Sequence, residues 1–333
     1  MDLKPLLSAI ELELQKQVSR LDSLHTKPFH EMLTYHMGWT GDGAGPEATG
    51  KRIRPLMLLL TTAANGASWE LALPAAAAVE LVHNFSLVHD DIQDNSPKRR
   101  GRDTVWTKWG APMAINAGDA LFVISNQAVL DLKENHPAEK VVQSAEILHN
   151  TCLELTRGQF MDISYEERMD LTTDDYWPMI AGKTAALLSA CCHIGAILGS
   201  AGEEKQDAYK SFGQYLGLAF QVQDDILGIW GNEAVTGKSA ASDLVEGKNS
   251  LPVLAGLSAN GNFAERWRNG PIKPNEVEEL AKLLAKEGGY ETAHNASIQM
   301  TDLALLNLRE AEPQGGAGEA LFDLAEKLLK REQ

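Results

Sequence analysis

ELVHNFSLVHDDIQDNSPKRRG runs from Glu80 to Gly101. Its first half reads as an apolar helix. Three carboxylates follow, Asp90, Asp91 and Asp94, and then three bases, Lys98, Arg99 and Arg100. Asp is a poor helix former, and Asp90 and Asp94 stand at i, i+4, where like charges repel. Pro97 is expected to end the helix so that the bases turn back toward the acids. Beyond this stretch, helical spacing dominates. Leu6, Ile10 and Leu14 mark one helix face; Val277, Leu280, Ala281 and Leu284 mark another, with Asn275 as its expected cap. Alternating β-branched runs are nearly absent, so the chain reads as all-α. Breaks fall at residues 38–50, 95–103, 231–247, 260–274 and 312–318. None has the length or polarity of an interdomain linker, so residues 1–333 are expected to form a single multi-helix domain.

Composition narrows the function. The net charge of −16 argues against nucleic acid as a main partner. It does not exclude an anionic substrate. At physiological salt charges are screened over roughly 8 Å, so the local clusters Lys51, Arg52, Arg54 and Lys98, Arg99, Arg100, Arg102 count for more than the total. Cys152, Cys191 and Cys192 form no zinc or disulfide framework and suit a reducing compartment. The charged N-terminal pattern is not a signal peptide. The most apolar stretch, residues 185–202, is diluted by His193 and small residues. It reads as a core helix, not a membrane span. A soluble cytoplasmic protein is expected.

SLVHDDI (Ser86 to Ile92) has an echo in FQVQDDI (Phe220 to Ile226). Both set an Asp pair on an apolar helix with basic residues nearby in sequence. Oxygen-only ligands point to Mg²⁺, which takes one or two carboxylates and completes its shell with water and substrate phosphates. Neighbouring Lys and Arg would hold the remaining phosphate oxygens. The glycine-lysine matches at residues 45–51, 231–239 and 182–184 each miss a P-loop requirement. A rival reading is a di-iron carboxylate bundle. Glu80 and His83, and again Glu146 and His149, have the Glu-x-x-His spacing. That reading leaves the Asp clusters and the basic stretches without a role.

With these residues assembled, the chain resembles the trans-prenyl diphosphate synthases, which include farnesyl and geranylgeranyl diphosphate synthases. The motifs lie in order from about Gly50 to Pro252: GKRIRP, ELVHNFSLVHDDIQD, RRG, NAGDAL, GQFMD, GKT, FQVQDD and GK. The resemblance implies an all-α bundle around a central cavity, usually homodimeric, that condenses isopentenyl diphosphate with an allylic diphosphate. It assigns Lys51, Arg54, His83 and Arg100 to the diphosphate of isopentenyl diphosphate. Arg99, Lys183, Gln221 and Lys238 would hold the allylic diphosphate, with Lys248 closing over it and Thr184 placing the allylic chain. Asp90 and Asp94 would bind two Mg²⁺ ions and Asp224 a third. Asp91, Gln159, Asp162 and Asp225 would line the site, and His89 would orient Asp90. On the residues alone, His83 also reads as a core histidine and Gln159 as a structural hydrogen bonder.

One departure stands out. The family's second motif closes on aspartate, whereas DDILG ends on Gly228. The expectation is that Asp224 still holds its metal, with water in the gap. Phe85, five residues before Asp90, lies about 7.5 Å down the helix at 1.5 Å per residue. An aromatic there with small Ser86 at the fourth position resembles geranylgeranyl synthases, so a twenty-carbon product is expected, with a fifteen-carbon one next. Phe122, Ser125 and Val82 are further candidates for the cavity floor.

Overall fold

A computed structural model describes residues 1–166, 168–231 and 242–329. In chain order the helices are α1 (Lys4–Val18), α2 (Lys27–His36), α3 (Pro46–Thr49), α4 (Ile53–Ala64) and α5 (Leu73–Gln93). A two-stranded hairpin follows, β1 (Lys98–Arg99) and β2 (Arg102–Asp103). Next come α6 (Val105–Trp109), α7 (Ala111–Leu130), α8 (Ala138–Tyr165), α9 (Thr173–Ile180), α10 (Ala186–Leu198) and α11 (Glu203–Trp230). The last are α12 (Ser242–Val245), α13 (Leu251–Ser258), α14 (Asn262–Arg268), α15 (Val277–Lys286), α16 (Gly289–Glu310) and α17 (Gly315–Leu329). The all-α expectation holds, the hairpin being the only strand pairing among the described residues.

The chain divides into two compact units. The first comprises residues 1–150, 191–206 and 313–320; the second comprises residues 151–190, 207–312 and 321–333.

In the first unit α5 is the central element. Pro74 starts it, and an alanine run with high helix propensity follows. Residues 74–82 are all buried, so this half is enclosed on every side and packs on α7, α4 and α1. The helix stops at Gln93. Asn95 adopts a left-handed conformation (φ 51°), the usual way a helix ends, and Pro97 comes only afterwards. Pro97 therefore does not end the helix as expected; Asn95 does. The hairpin then turns through Arg100 and Gly101, both at positive φ (51° and 74°). That pair of signs matches the natural twist of a two-residue hairpin.

The second unit has two apolar clusters. One joins Tyr176, Ile180, Val222 and Leu254; the other joins Ile229, Val253, Phe263 and Leu284. Between α9 and α10 the backbone widens into a single π turn, Ala181–Ala185. Here α8 comes very close: a Cβ on Gly158 would lie 2.2 Å from the Lys183 backbone nitrogen. The break expected at residues 260–274 contains α14, and α15 begins after Glu276 instead of Asn275. Glu276 holds the N-cap position without a side-chain cap bond; its carboxylate instead accepts the Lys273 N–H (3.0 Å) of the preceding turn.

By length and composition three helical stretches are apolar enough to cross a membrane: Trp69–Gln93, Ala111–Glu134 and Thr173–Leu198. Their apolar windows are 67%, 44% and 78% buried within the protein. Packing thus uses most of the first and third, and the second is the least covered.

Gly158→Ala places a methyl group against backbone that cannot yield, and it is expected to destabilise the protein by about 1–3 kcal/mol. A urea melt reads this directly, and an unchanged midpoint would contradict the close approach.

Candidate active site

In the first unit the GKRIRP turn brings Arg52 into the core at φ 50°. Its side chain is 2% exposed. It donates to Glu80 Oε1 (2.8 Å) and Glu11 Oε1 (2.6 Å). Burial opposes its charge, but these two carboxylates outweigh burial and hold its pKa above the usual value. Arg54, two residues on, is half-buried near Glu80, and its Nε has no hydrogen-bond partner. Burial lowers its pKa.

The hairpin carries two more guanidinium groups, Arg99 half-buried and Arg100 exposed. Arg99 Nε donates to Asp91 Oδ1 (2.9 Å), and Arg100 Nη1 donates to the Ala48 carbonyl (2.8 Å) beside Gly50. Burial raises the Asp91 pKa to about 6, against the pull of Arg99. Asp91 is therefore the buried anchor of the hairpin. Asp90 and Asp94 lie on the last turn of α5 and its cap, half-buried and exposed respectively.

His83 is kept neutral by burial and by Arg54, Arg100 and Arg99. His36, on α2, shares that environment. Burial, Arg99, Arg100 and Arg52 lower its pKa to about 3, while Asn84 pulls the other way. Neither His36 Nε2 nor Asn84 Oδ1 completes a well-formed hydrogen bond. His36, Leu87, Asp91, Arg99 and Arg100 line a cleft together with Tyr35. Three arginines thus converge beside two uncharged imidazoles, a concentration of positive charge that suits an anion. His36 lay outside every motif read from the sequence, and nothing in its spacing marked it. Lys51 is exposed at the start of the same turn. His89 faces α7, with Nε2 at 3.2 Å from the Ile115 carbonyl and 3.6 Å from Asp119.

Phe85 packs on Phe122, with centroids 5.1 Å apart, and edge-on to His89 at 5.8 Å. Ser86 bonds to the His83 carbonyl, and buried Ser125 to the Phe122 carbonyl. Both hydroxyls are satisfied by their own helix, which leaves the aromatic pair as the bulk at this level.

The second unit carries the other acidic helix segment. Asp225 on α11 is buried. Its Oδ2 accepts from the Tyr176 hydroxyl (2.7 Å) and the Leu251 N–H (3.2 Å), and its Oδ1 accepts from Gln221 Nε2 (3.0 Å). Gln221 Oε1 in turn accepts from Thr184 Oγ1 (2.7 Å). The network fixes Gln221 and the π turn to one helix face. Burial raises the Asp225 pKa to about 7 against these three donors. Asp224, next in the chain, is half-buried. Lys183 pairs with Asp162. Lys248 lies 3.4 Å from Asp243 and 2.8 Å from Glu246; burial opposes its charge, but these acids hold its pKa well above the ordinary lysine range. Lys238 lies outside the described residues. Sequence reasoning missed Tyr176 and Asp243, because each acts on a motif residue distant from it in the chain.

The polyprenyl synthetase family model matches residues 45–285. The chain belongs to the polyprenyl synthetase family. It is an enzyme of prenyl transfer. A (2E,6E)-farnesyl diphosphate synthase of Mycobacterium tuberculosis is 39% identical over 287 residues, 86% of this chain and 74% of that protein. A geranylgeranyl diphosphate synthase of the same organism is 37% identical over 292 residues, 86% and 83% of the two chains. Among solved structures, the geranylgeranyl pyrophosphate synthetase from Pyrococcus horikoshii Ot3 superposes with a TM-score of 0.89 at 32% identity, covering 99% of this chain and 97% of that one.

Polyprenyl synthetases use Mg²⁺. Among the described residues no group of three or more His, Cys, Asp or Glu side chains is arranged to hold a metal. That does not suit a di-iron centre, which takes its ligands from the protein. Glu80 is already engaged with Arg52, and Glu146 and His149 are exposed, His149 against Asn126. One or two carboxylates, such as Asp90, Asp94 and Asp224 offer, do suit Mg²⁺, which fills most of its shell with water and substrate phosphate.

Asp225 gives a pH signature. Its folded pKa is above the usual carboxylate value, so between about pH 4 and about pH 7 the folded state holds the extra proton. Stability from this group is full below that window and is lost as pH rises through it. Asp225→Asn should lose less stability than the parent between pH 5 and pH 8 in denaturant titrations; an equal loss would refute the assignment.

Proposed function

We propose that the chain condenses isopentenyl diphosphate with an allylic diphosphate and releases geranylgeranyl diphosphate, with farnesyl diphosphate the next product in rank. The observation that carries this reading is the cluster of Arg99, Arg100 and His36 lining one cleft with Asp91, close to the GKRIRP turn that carries Arg54. Residues 1–333 act as one synthase domain. Lys51, Arg54, His83 and Arg100 receive the diphosphate of isopentenyl diphosphate, and the unpartnered Arg54 Nε supports this. Arg99, Lys183, Gln221, Lys238 and Lys248 receive the allylic diphosphate, with Thr184 beside its chain. Arg99 and Lys183 are held in readiness by Asp91 and Asp162.

Asp90, Asp94 and Asp224 would hold three Mg²⁺ ions, whose charge favours departure of the diphosphate from the allylic C1. The cationic side chains stabilise the same developing charge from fixed positions. Apolar walls keep water from the allylic cation until the double bond of isopentenyl diphosphate attacks it. Loss of a proton then completes the product; the released diphosphate is its acceptor, since no side-chain base stands out. Phe85, backed by Phe122, is the floor that limits chain growth. Met113, Ile115, Val123 and Leu130 on α7 are 48–54% exposed, which supports a homodimer. With that face covered, all three apolar helical stretches found among the described residues would be packed, which supports a cytoplasmic enzyme.

Purified protein incubated with isopentenyl diphosphate, Mg²⁺ and each allylic starter in turn should yield chain-elongated diphosphates. Asp90→Ala, Asp94→Ala or Asp224→Ala should each reduce turnover by about 100-fold or more. Saturable substrate binding without carbon–carbon bond formation in the parent would overturn the catalytic reading. Phe85→Ala should shift products beyond twenty carbons, and an unaltered chain length would remove Phe85 as the floor.

A further inference from the structure

DDILG lacks the closing carboxylate of its motif, and α11 offers only the bare Cα of Gly228 one turn beyond Asp224. That place is not empty. A Cβ built on Gly228 would lie 2.0 Å from Asp243 Oδ2, 2.5 Å from its Cγ and 3.0 Å from its Oδ1. We propose that Asp243 supplies, from α12, the carboxylate that position 228 has given up, so that α11 presents an i, i+4 acid pair in space though not in sequence. The pair would match Asp90 and Asp94 on α5. The inference rests on the diphosphate synthase reading above and names a further residue of its metal-diphosphate site.

Three observations support it. First, the overlap is mutually exclusive: no side chain at 228 can coexist with the Asp243 carboxylate where it now sits, so glycine and Asp243 are a matched pair. Second, the Asp243 side chain is 8% exposed. A buried carboxylate is costly unless it has a partner or a cation to bind. Among the described residues its side-chain partner is Lys248 at 3.4 Å, and Lys248 is closer to Glu246, at 2.8 Å. Of these two acids, Asp243 is thus the more loosely held by Lys248. Third, Asp243 and Lys248 are also joined through the backbone, the Lys248 N–H donating to the Asp243 carbonyl (3.0 Å), so the lysine is held beside the carboxylate. A charge in this position attracts Mg²⁺ bridging to diphosphate while holding Lys248 beside the same anion. The water expected in the gap beside Asp224 is therefore replaced by a carboxylate.

The test is a carboxylate swap. Asp243→Gly should raise the Mg²⁺ needed for half-maximal turnover by about 10-fold to 100-fold. It should weaken Mn²⁺ binding in the presence of inorganic pyrophosphate by a similar factor, read by electron paramagnetic resonance without turnover. Gly228→Asp alone should be as damaging, because the two side chains collide. The double variant Gly228→Asp/Asp243→Gly should recover both readouts to within a few-fold of the parent, with melting curves confirming the fold of each. A double variant no better than the single ones overturns the proposal, as does Asp243→Gly that melts earlier but keeps its metal affinity. The latter would make Asp243 only the counter-ion of Lys248. The broader reading fails separately, if Asp90→Ala and Asp224→Ala leave pyrophosphate-dependent Mn²⁺ binding intact.

Discussion

The burial of Arg52 between Glu11 and Glu80 is the constraint on which the first unit's chemistry depends. Such a pair is weak evidence of stability, since desolvation offsets most of the attraction. Its value here is positional. Glu80 also acts on Arg54 and Arg100, and Asp91 pairs with Arg99. These arginines in turn help to keep His36 and His83 uncharged. An anion entering this cluster would meet charges whose cost of assembly was met at folding, which is the sense in which fixed dipoles and charges outperform water.

The second unit reaches the same end by hydrogen bonds to a single carboxylate. Asp225 gathers Tyr176, Gln221 and the Leu251 N–H onto one residue. It is consequently a poor metal ligand and a good anchor. The doubled aspartates in both motifs thus divide their labour. Asp91 and Asp225 face inward to hold partners, and Asp90 and Asp224 are left half-buried. Alternation of this kind follows from a helix, where consecutive residues point about 100° apart.

Much of this was legible in the sequence. The all-α class followed from periodicity, and the order of short motifs led to the family. Legibility ended where residues act through distant partners. His36 is marked only by the arginines that later surround it. Tyr176 is an unremarkable aromatic until Asp225 arrives beside it. Asp243 acquires meaning from an absence fifteen positions earlier. Local punctuation was also misread by a residue or two. Pro97 looked like the stop of α5, but Asn95 had already turned left-handed, and Glu276 instead of Asn275 stands at the N-cap position of α15. Such errors reflect competition among neighbouring residues able to do the same backbone task.

The π turn at Ala181–Ala185 carries a consequence for how the family's GKT segment can vary. A wide turn inserts one residue into an otherwise regular rod. It sets the angular phase between Thr184, bonded to Gln221, and the side chains of α9 before it. Deleting one residue of the five would let the rod become ideal with both flanks keeping their faces, but it would move the residues of the turn itself, Thr184 among them, relative to Gln221. The irregularity thus acts as a spacer whose length is under constraint even where its composition is free.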